Sequence, residues 1–73
     1  MITLPKRMSG RVYVAKNIHS EYVRAYRSNG KYVVSLVFGF GIPLPSTVKS
    51  FSKKKSAEAY ANRLAQQNGM KAC

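Results

Sequence analysis

The sequence predicts an α+β fold in which a small antiparallel β-sheet of three or four strands packs by one face on a single C-terminal helix. Two β-rich runs flank the dipeptide Asn29-Gly30, and the residues from 52 to 68 carry apolar side chains at helical spacing. Of the 73 residues, 45% are hydrophobic. That fraction is typical of globular proteins, and a chain of this length has room for one core.

The strands follow from local composition and one turn. Residues 11–16 predict the first strand and residues 17–20 a turn. The runs 21–28 and 31–38 then form a hairpin, because Asn-Gly favours a type I′ turn in which both central residues adopt positive φ. This turn sets a register in which Tyr22 faces Val37 and Ser28 faces Lys31.

Directly opposed residues share a face of the sheet, and successive residues alternate between the faces. The face predicted to form the core carries Val23, Ala25, Tyr32, Val34, Leu36 and Phe38. The face predicted to be left to solvent carries Tyr22, Arg24, Tyr26, Lys31, Val33, Ser35 and Val37.

The rest of the chain predicts a loop, a short strand and the helix. Residues 39–45 hold two glycines and two prolines, so we expect a loop whose apolar side chains pack on the core. Residues 47–51 suit another strand, and residues 52–68 a helix with Ser52 or Ser56 as N-cap and Gly69 as its stop. The predicted buried stripe is Ala57, Tyr60, Ala61, Leu64 and Ala65. The predicted order is β-β-β-β-α over residues 11–69, after a flexible basic arm (1–10) and before a C-terminal tail (70–73).

The charge indicates a polyanionic partner. Thirteen lysines and arginines stand against Glu21 and Glu58 alone, which gives a net charge of +11. Self-repulsion at this density opposes folding, and a basic domain of this kind is typical of nucleic-acid binders. The sequence has no apolar run of about 20 residues and no apolar stretch near its start, so we expect a cytoplasmic protein with no membrane partner.

Catalysis has little support in the sequence. His19 is the only histidine, and Cys73, the only cysteine, is the last residue. Two carboxylates and one histidine do not make a catalytic or metal-binding set, and no Lys-Ser/Thr follows the glycines at 39 and 41 as a phosphate loop requires. We expect no enzyme activity, no metal and no cofactor.

The candidate nucleic-acid-binding residues fall into three groups. Tyrosines can stack on bases, arginines can read base edges, and lysines can contact phosphate. Lysines in the first turn of a helix oppose its dipole, so an anion is their natural partner. The predicted sheet residues are Arg11, Tyr13, Tyr22, Arg24, Tyr26, Lys31 and Ser35. The predicted phosphate clamp is Lys49, Lys53, Lys54 and Lys55, and the basic arm contributes Lys6 and Arg7.

The middle strand Gly30-Lys31-Tyr32-Val33-Val34-Ser35-Leu36 and the passage from Ser50-Phe51 into Lys54-Lys55-Ser56-Ala57-Glu58-Ala59-Tyr60-Ala61 resemble the AP2-like fold, including arm-type DNA-binding domains of phage and transposon integrases. That resemblance, over about residues 22–67, implies three antiparallel strands followed by a helix, with the sheet entering the DNA major groove. Arg24, Tyr26, Lys31 and Ser35 would then face bases and phosphates. Ser52-Lys53-Lys54-Lys55 opening an Ala-rich helix also resembles the end of double-stranded-RNA-binding domains.

The sequence therefore predicts a small, non-enzymatic DNA-binding protein, of the accessory or regulatory kind carried by phages and mobile elements. Two alternatives stay open. One is an inhibitor or adaptor that docks on an acidic host protein through the same valines and tyrosines, and the other is an RNA-binding module. A monomer or a weak homodimer fits the sequence, since an edge strand can pair two copies.

Overall fold

The computed structural model describes residues 2–4, 10–39 and 41–72. It contains one antiparallel five-stranded sheet and one helix, which confirms the predicted α+β class. The strands are β1 (Val12–Lys16), β2 (Tyr22–Ser28), β3 (Lys31–Val37), β4 (Lys49–Phe51) and β5 (Lys71–Ala72), and the helix α1 is Lys54–Gln67. A 3₁₀ turn, Pro45–Thr47, precedes β4, and the strands lie side by side in the order β4-β3-β2-β1-β5.

The central hairpin has the predicted turn and register. Asn29 and Gly30 have φ of 52° and 76°, as a type I′ turn requires. The pairing of β2 with β3 runs from Ser28 opposite Lys31 to Tyr22 opposite Val37. Because this register fixes which residues share a face, the division of β2 and β3 into two faces is confirmed as well.

Helix α1 covers one face of the sheet and forms the core with it. Val23, Ala25 and Val34 are completely buried there, and the helix contributes a narrow stripe that includes Ala57, Ala61, Leu64 and Ala65. Alanines allow the helix to approach the sheet closely. Phe38, which we expected in the core, is 38% exposed because β3 ends at Val37. Tyr60 is half-buried and packs beside Phe51.

A bulge in β1 changes which of its residues face the helix. Tyr13 pairs with Arg24 and Ala15 with Val23, so Val14 is an extra residue between them. Val14 and Ala15 are consequently both buried in the core. Regular alternation, which the sequence alone suggests, would have sent one of them to solvent.

Residues 2–4 of the predicted flexible arm are packed against the rest of the protein. Ile2 and Leu4 are buried in the core, at 4% and 1% exposure. Their backbone N–H groups donate to side chains of α1, Ile2 to Asn62 Oδ1 at 3.0 Å and Leu4 to Glu58 Oε1 at 2.8 Å. Ile2 and Leu4 therefore belong to the core. Lys6 and Arg7, the charged part of the predicted arm, lie outside the described residues.

The start of α1 differs from the prediction, whereas its end agrees with it. The N-cap is Lys53, whose side chain makes no capping hydrogen bond, so neither Ser52 nor Ser56 has the predicted role. At the other end Gly69 stops the helix as predicted, with φ of 62°. Its neighbour Met70 donates its N–H to Ala65 O at 2.8 Å and is buried in the core.

This C-terminal turn leads into β5, so the predicted tail is wrong for residues 70–72. Met70 is held by the core, and the chain then reaches the free edge of β1, where Lys71 pairs with Lys16 and Ala72 with Ala15. A two-residue strand leaves no pattern in the sequence that local composition could reveal.

Residues 42–44, between β3 and β4, lie beside the end of β3. Leu44 donates its N–H to Leu36 O at 2.8 Å and packs on the core, as expected for an apolar loop residue. Ile42 does not, since it is 62% exposed. Thr47 fixes the turn before β4 by donating its hydroxyl to Leu44 O at 2.7 Å and accepting the N–H of Leu36. Among the described residues no helix is long and apolar enough to span a membrane.

Candidate nucleic-acid interface

The sheet face that points away from α1, here called the outer face, brings together residues of four strands. Direct pairing places them in rows across the sheet: Lys71, Lys16, Tyr22 and Val37 in one row, Tyr13, Arg24 and Ser35 in the next, and Tyr26 with Val33 in a third. Lys31 follows toward the hairpin turn. The register therefore assembles most of the predicted sheet residues on one surface.

Arg24 occupies the centre of this face and is only 6% exposed. Its guanidinium carbon lies 5.8 Å from the centre of the Tyr26 ring, within the range of a cation–π contact. Its Nε atom is buried and has no hydrogen-bond partner among the described residues. An arginine is seldom buried without a partner, because desolvation of the charge is costly.

Ser35 lies directly opposite Arg24 on β3 and is completely buried. Its hydroxyl is also a buried polar atom without a hydrogen-bond partner in the described part of the chain. Two unsatisfied polar groups thus face each other at the middle of the outer face. Buried polar groups normally have partners in the folded chain, so this pair is exceptional.

The outer face is less open than the sequence suggested. Val33 and Val37, which we expected at the surface, are 8% and 1% exposed, and Arg24 and Ser35 are buried with them. Because the two valines are buried, the exposed part of the face consists of tyrosine rings and lysines rather than valines.

Tyrosine rings form the exposed apolar part of the face. Tyr13 is 44% exposed, and its ring centre is 5.0 Å from that of Tyr22, with the two planes tilted by 60°. Tyr26, on the far side of Arg24, is half-buried. Aromatic residues exposed together on one surface are typical of binding sites.

Three lysines stand at the margin of the outer face: Lys16, Lys31 and Lys71, all exposed. Lys16 and Lys71 are directly opposed across β1 and β5. Like charges in that position repel each other, so a bound anion would relieve an existing strain. Neither lysine is among the binding residues predicted from the sequence, because the pairing of β5 with β1 leaves no local pattern. The apolar Met70 after Gly69 is the one feature of the sequence that could have indicated the return of the chain to the core.

The two glutamates are both committed to internal contacts. Glu21 accepts a hydrogen bond from Asn17 Nδ2 at 2.9 Å. Glu58 accepts the N–H of Leu4 and lies 3.6 Å from Lys54 Nζ. Neither glutamate lies on the outer face, so no side-chain carboxylate opposes the positive charge there.

The predicted phosphate clamp does not form one surface with the outer face. Lys53, Lys54 and Lys55 lie at the start of α1, beyond the end of β4, with no acidic residue in the first turn. Lys54 is engaged by Glu58, whereas Lys53 and Lys55 are exposed. These lysines therefore form a second basic surface, close to the hairpin end of the sheet because Phe51 pairs with Tyr32.

Lys49 lies on the helix side of the sheet, away from both groups. It pairs with Val34 on β3, and its Nζ is 5.2 Å from the centre of the Tyr60 ring. Arg63 lines the same shallow cleft. Burial raises the pKa of the Tyr60 hydroxyl, against a smaller opposing effect of Arg63. Arg11 is exposed directly before β1.

Among the residues that the structure describes, no three histidine, cysteine, aspartate or glutamate side chains lie close enough together to hold a metal ion. Comparison of the chain with protein-family models, with curated proteins and with solved structures gives no match. The function is therefore argued from the site itself.

Proposed function

We propose that this chain is a small, non-enzymatic nucleic-acid-binding protein that takes its ligand on the outer face of the sheet. One observation carries the proposal: on a chain with a net charge of +11, a tyrosine-rich face has exposed lysines at its margin and, at its centre, an arginine Nε without a hydrogen-bond partner among the described residues. Rings that stack on bases and cations that neutralise phosphates are the two requirements of nucleic-acid binding.

The lysines at the start of α1 support a second contact. Cations at a helix N-terminus are unfavourable for the helix by ~0.3–1 kcal/mol each when exposed, and here no acidic residue of the first turn offsets them. A phosphate beside Lys53 and Lys55 would remove this cost. Because they lie beyond the hairpin end of the sheet, a strand that crosses the outer face could continue onto them.

DNA is the ligand proposed first, and the resemblance of residues 22–67 to AP2-like domains supports it. The same resemblance supports an accessory or regulatory protein of a phage or mobile element, acting in the cytoplasm of the host cell. RNA is the alternative ligand, because phosphate contacts are alike in both. An inhibitor or adaptor that docks on an acidic host protein is the other alternative; of the valines and tyrosines on which it depends, Val33 and Val37 are buried and Tyr13 is exposed.

The proposal is tested by fluorescence anisotropy with labelled duplex DNA, single-stranded DNA and duplex RNA at roughly 50 and 200 mM salt. If about five phosphates are neutralised, log K against log salt has a slope of about −4 to −5 for duplex DNA. Absence of binding at the lower salt would refute the proposal, and so would binding with a slope close to zero.

Charge-matched double variants locate the binding surface. Lys16→Gln with Lys71→Gln alters the outer face, Lys53→Gln with Lys55→Gln alters the helix start, and Lys49→Gln with Arg63→Gln is the control on the helix side. Each pair lowers the net charge by two, from +11 to +9. We expect the first two pairs to flatten the salt slope by about one for each phosphate that is no longer neutralised. An equal effect of all three pairs would mean that net charge, and not these surfaces, drives binding.

A further inference from the structure

The two side chains of the outer face that are best suited to reading base edges are buried. Arg24 is 6% exposed and Ser35 is not exposed at all, whereas Tyr13 beside them is 44% exposed. Readout of a duplex groove needs donors and acceptors that reach beyond the protein surface to the base edges. Because Arg24 and Ser35 do not extend in that way, this face is poorly shaped for groove readout.

The tyrosines of this face offer rings on which bases can stack, Tyr13 being exposed and Tyr22 and Tyr26 half-buried. The rings of Tyr13 and Tyr22 have centres 5.0 Å apart and planes tilted by 60°, and Tyr26 lies on the opposite side of Arg24. Every base has a π-face, so stacking on such rings tolerates any sequence. In a duplex those faces are already covered by neighbouring bases, whereas unpaired bases can turn onto a tyrosine.

The cations are arranged to hold a backbone against such stacked bases. Arg24 lies among the rings, and its Nε has no partner in the described part of the chain. Its positive charge at the centre of the outer face is neutralised by neither glutamate. Lys16 and Lys71 repel each other at one margin, and Lys31 stands toward the hairpin turn. A flexible single strand can bring phosphates to these separate points while its bases lie on the rings.

We infer, resting on the nucleic-acid-binding function proposed above, that the outer face takes single-stranded rather than duplex nucleic acid. Bases stack on Tyr13 and Tyr22, and phosphates lie beside Lys16 and Lys71. The burial of Arg24 fixes its charge beneath the bound strand. The ligand class is a single strand of DNA or RNA, read without a fixed sequence.

The test compares labelled 12-nucleotide DNA and RNA single strands with a 12-base-pair DNA duplex by anisotropy at roughly 50 mM salt. Variants are Tyr13→Ala, the conservative Tyr13→Phe, and Phe38→Ala as a matched control, since Phe38 is an exposed aromatic outside the outer face. The chain has five tyrosines and no tryptophan, so quenching of its intrinsic emission reports bases stacked on tyrosine. Circular dichroism melting checks that each variant is folded.

We expect a single strand to bind at least tenfold more tightly than the duplex and to quench the tyrosine emission. Tyr13→Ala should weaken single-strand binding by about 5- to 100-fold, while Tyr13→Phe and Phe38→Ala stay within about twofold. A preference between the DNA and RNA strands would identify the sugar.

Duplex binding as tight as single-strand binding would overturn the inference, and so would a Tyr13→Ala variant that is folded and binds normally. In either case salt-dependent binding to the duplex would leave the proposed function standing. Failure of every nucleic acid to bind would overturn the proposed function as well.

Discussion

Replacement of Arg24 by methionine is expected to stabilise the fold while it weakens nucleic-acid binding. Arg24 is 6% exposed, its Nε has no partner among the described residues, and both glutamates are engaged elsewhere. Methionine is unbranched and apolar, so it can follow the path of the arginine stem and remove the buried Nε–H that has no partner among the described residues. Residues kept for binding at the expense of stability are a recurrent feature of functional sites.

The magnitude follows from two opposing effects. Removal of a buried donor without a partner relieves about 1–3 kcal/mol of desolvation cost. Absence of the guanidinium beside the Tyr26 ring, at 5.8 Å, removes about 0.5–2 kcal/mol of attraction. We therefore expect the free energy of unfolding to rise by about 1 kcal/mol, which corresponds to roughly 4–8 °C in Tm for a domain of this size.

Urea denaturation at fixed pH and salt measures this change, and Arg27→Met is its matched control. Arg27 also lies against a ring, with its guanidinium carbon 5.6 Å from the centre of Tyr32, but it is exposed. Its replacement should alter the free energy of unfolding by no more than about 0.5 kcal/mol. Destabilisation of Arg24→Met by more than about 1 kcal/mol would show that the fold satisfies the guanidinium, and the argument for a ligand at the centre of the outer face would fail.

Three further predictions concern the helix. Lys53→Asp should raise the free energy of unfolding by about 1–2 kcal/mol in thermal melts, since it supplies a capping acceptor and a charge that suits the helix dipole; an unchanged Tm would contradict this. Gly69→Ala should cost about 1–2 kcal/mol in urea denaturation because φ is 62°, although no atom lies within 4 Å of the added Cβ; a smaller cost would mean that the turn relaxes. Burial raises the pKa of Tyr60, whose hydroxyl donates to Thr47 O at 2.6 Å. The stability linked to this raised pKa is therefore complete below pH ~10 and is lost as pH rises through the folded-state value. Urea denaturation at a series of pH values should show this fall in the free energy of unfolding, and Tyr60→Phe should not show it.

Local chemistry accounts for the parts of the fold that could be predicted. Asn29-Gly30 requires a particular turn, and that turn sets the register and both faces of β2 and β3 without reference to the rest of the chain. The helix stripe and its stop at Gly69 likewise depend on residues within a few positions of one another. Short-range interactions of this kind can be read directly from the order of residues.

Burial on the outer face could not be predicted in the same way. The sequence assigns Arg24, Ser35 and Val37 to that face correctly, but how far each is covered depends on side chains from neighbouring strands. The unsatisfied pair at the centre of the candidate site is visible only when those strands are in place.

The order of residues is enough to predict the fold class, the hairpin register, the helix and the excess of positive charge, because these depend on composition and on contacts between near neighbours. The folded chain was needed to find that Ile2 and Leu4 belong to the core, that β1 carries a bulge, and that β5 brings Lys71 beside Lys16. Each of these features depends on contacts between different segments of the chain. Such contacts form because a strand edge is free to pair or an apolar surface is left to cover, and neither is visible in a local sequence pattern.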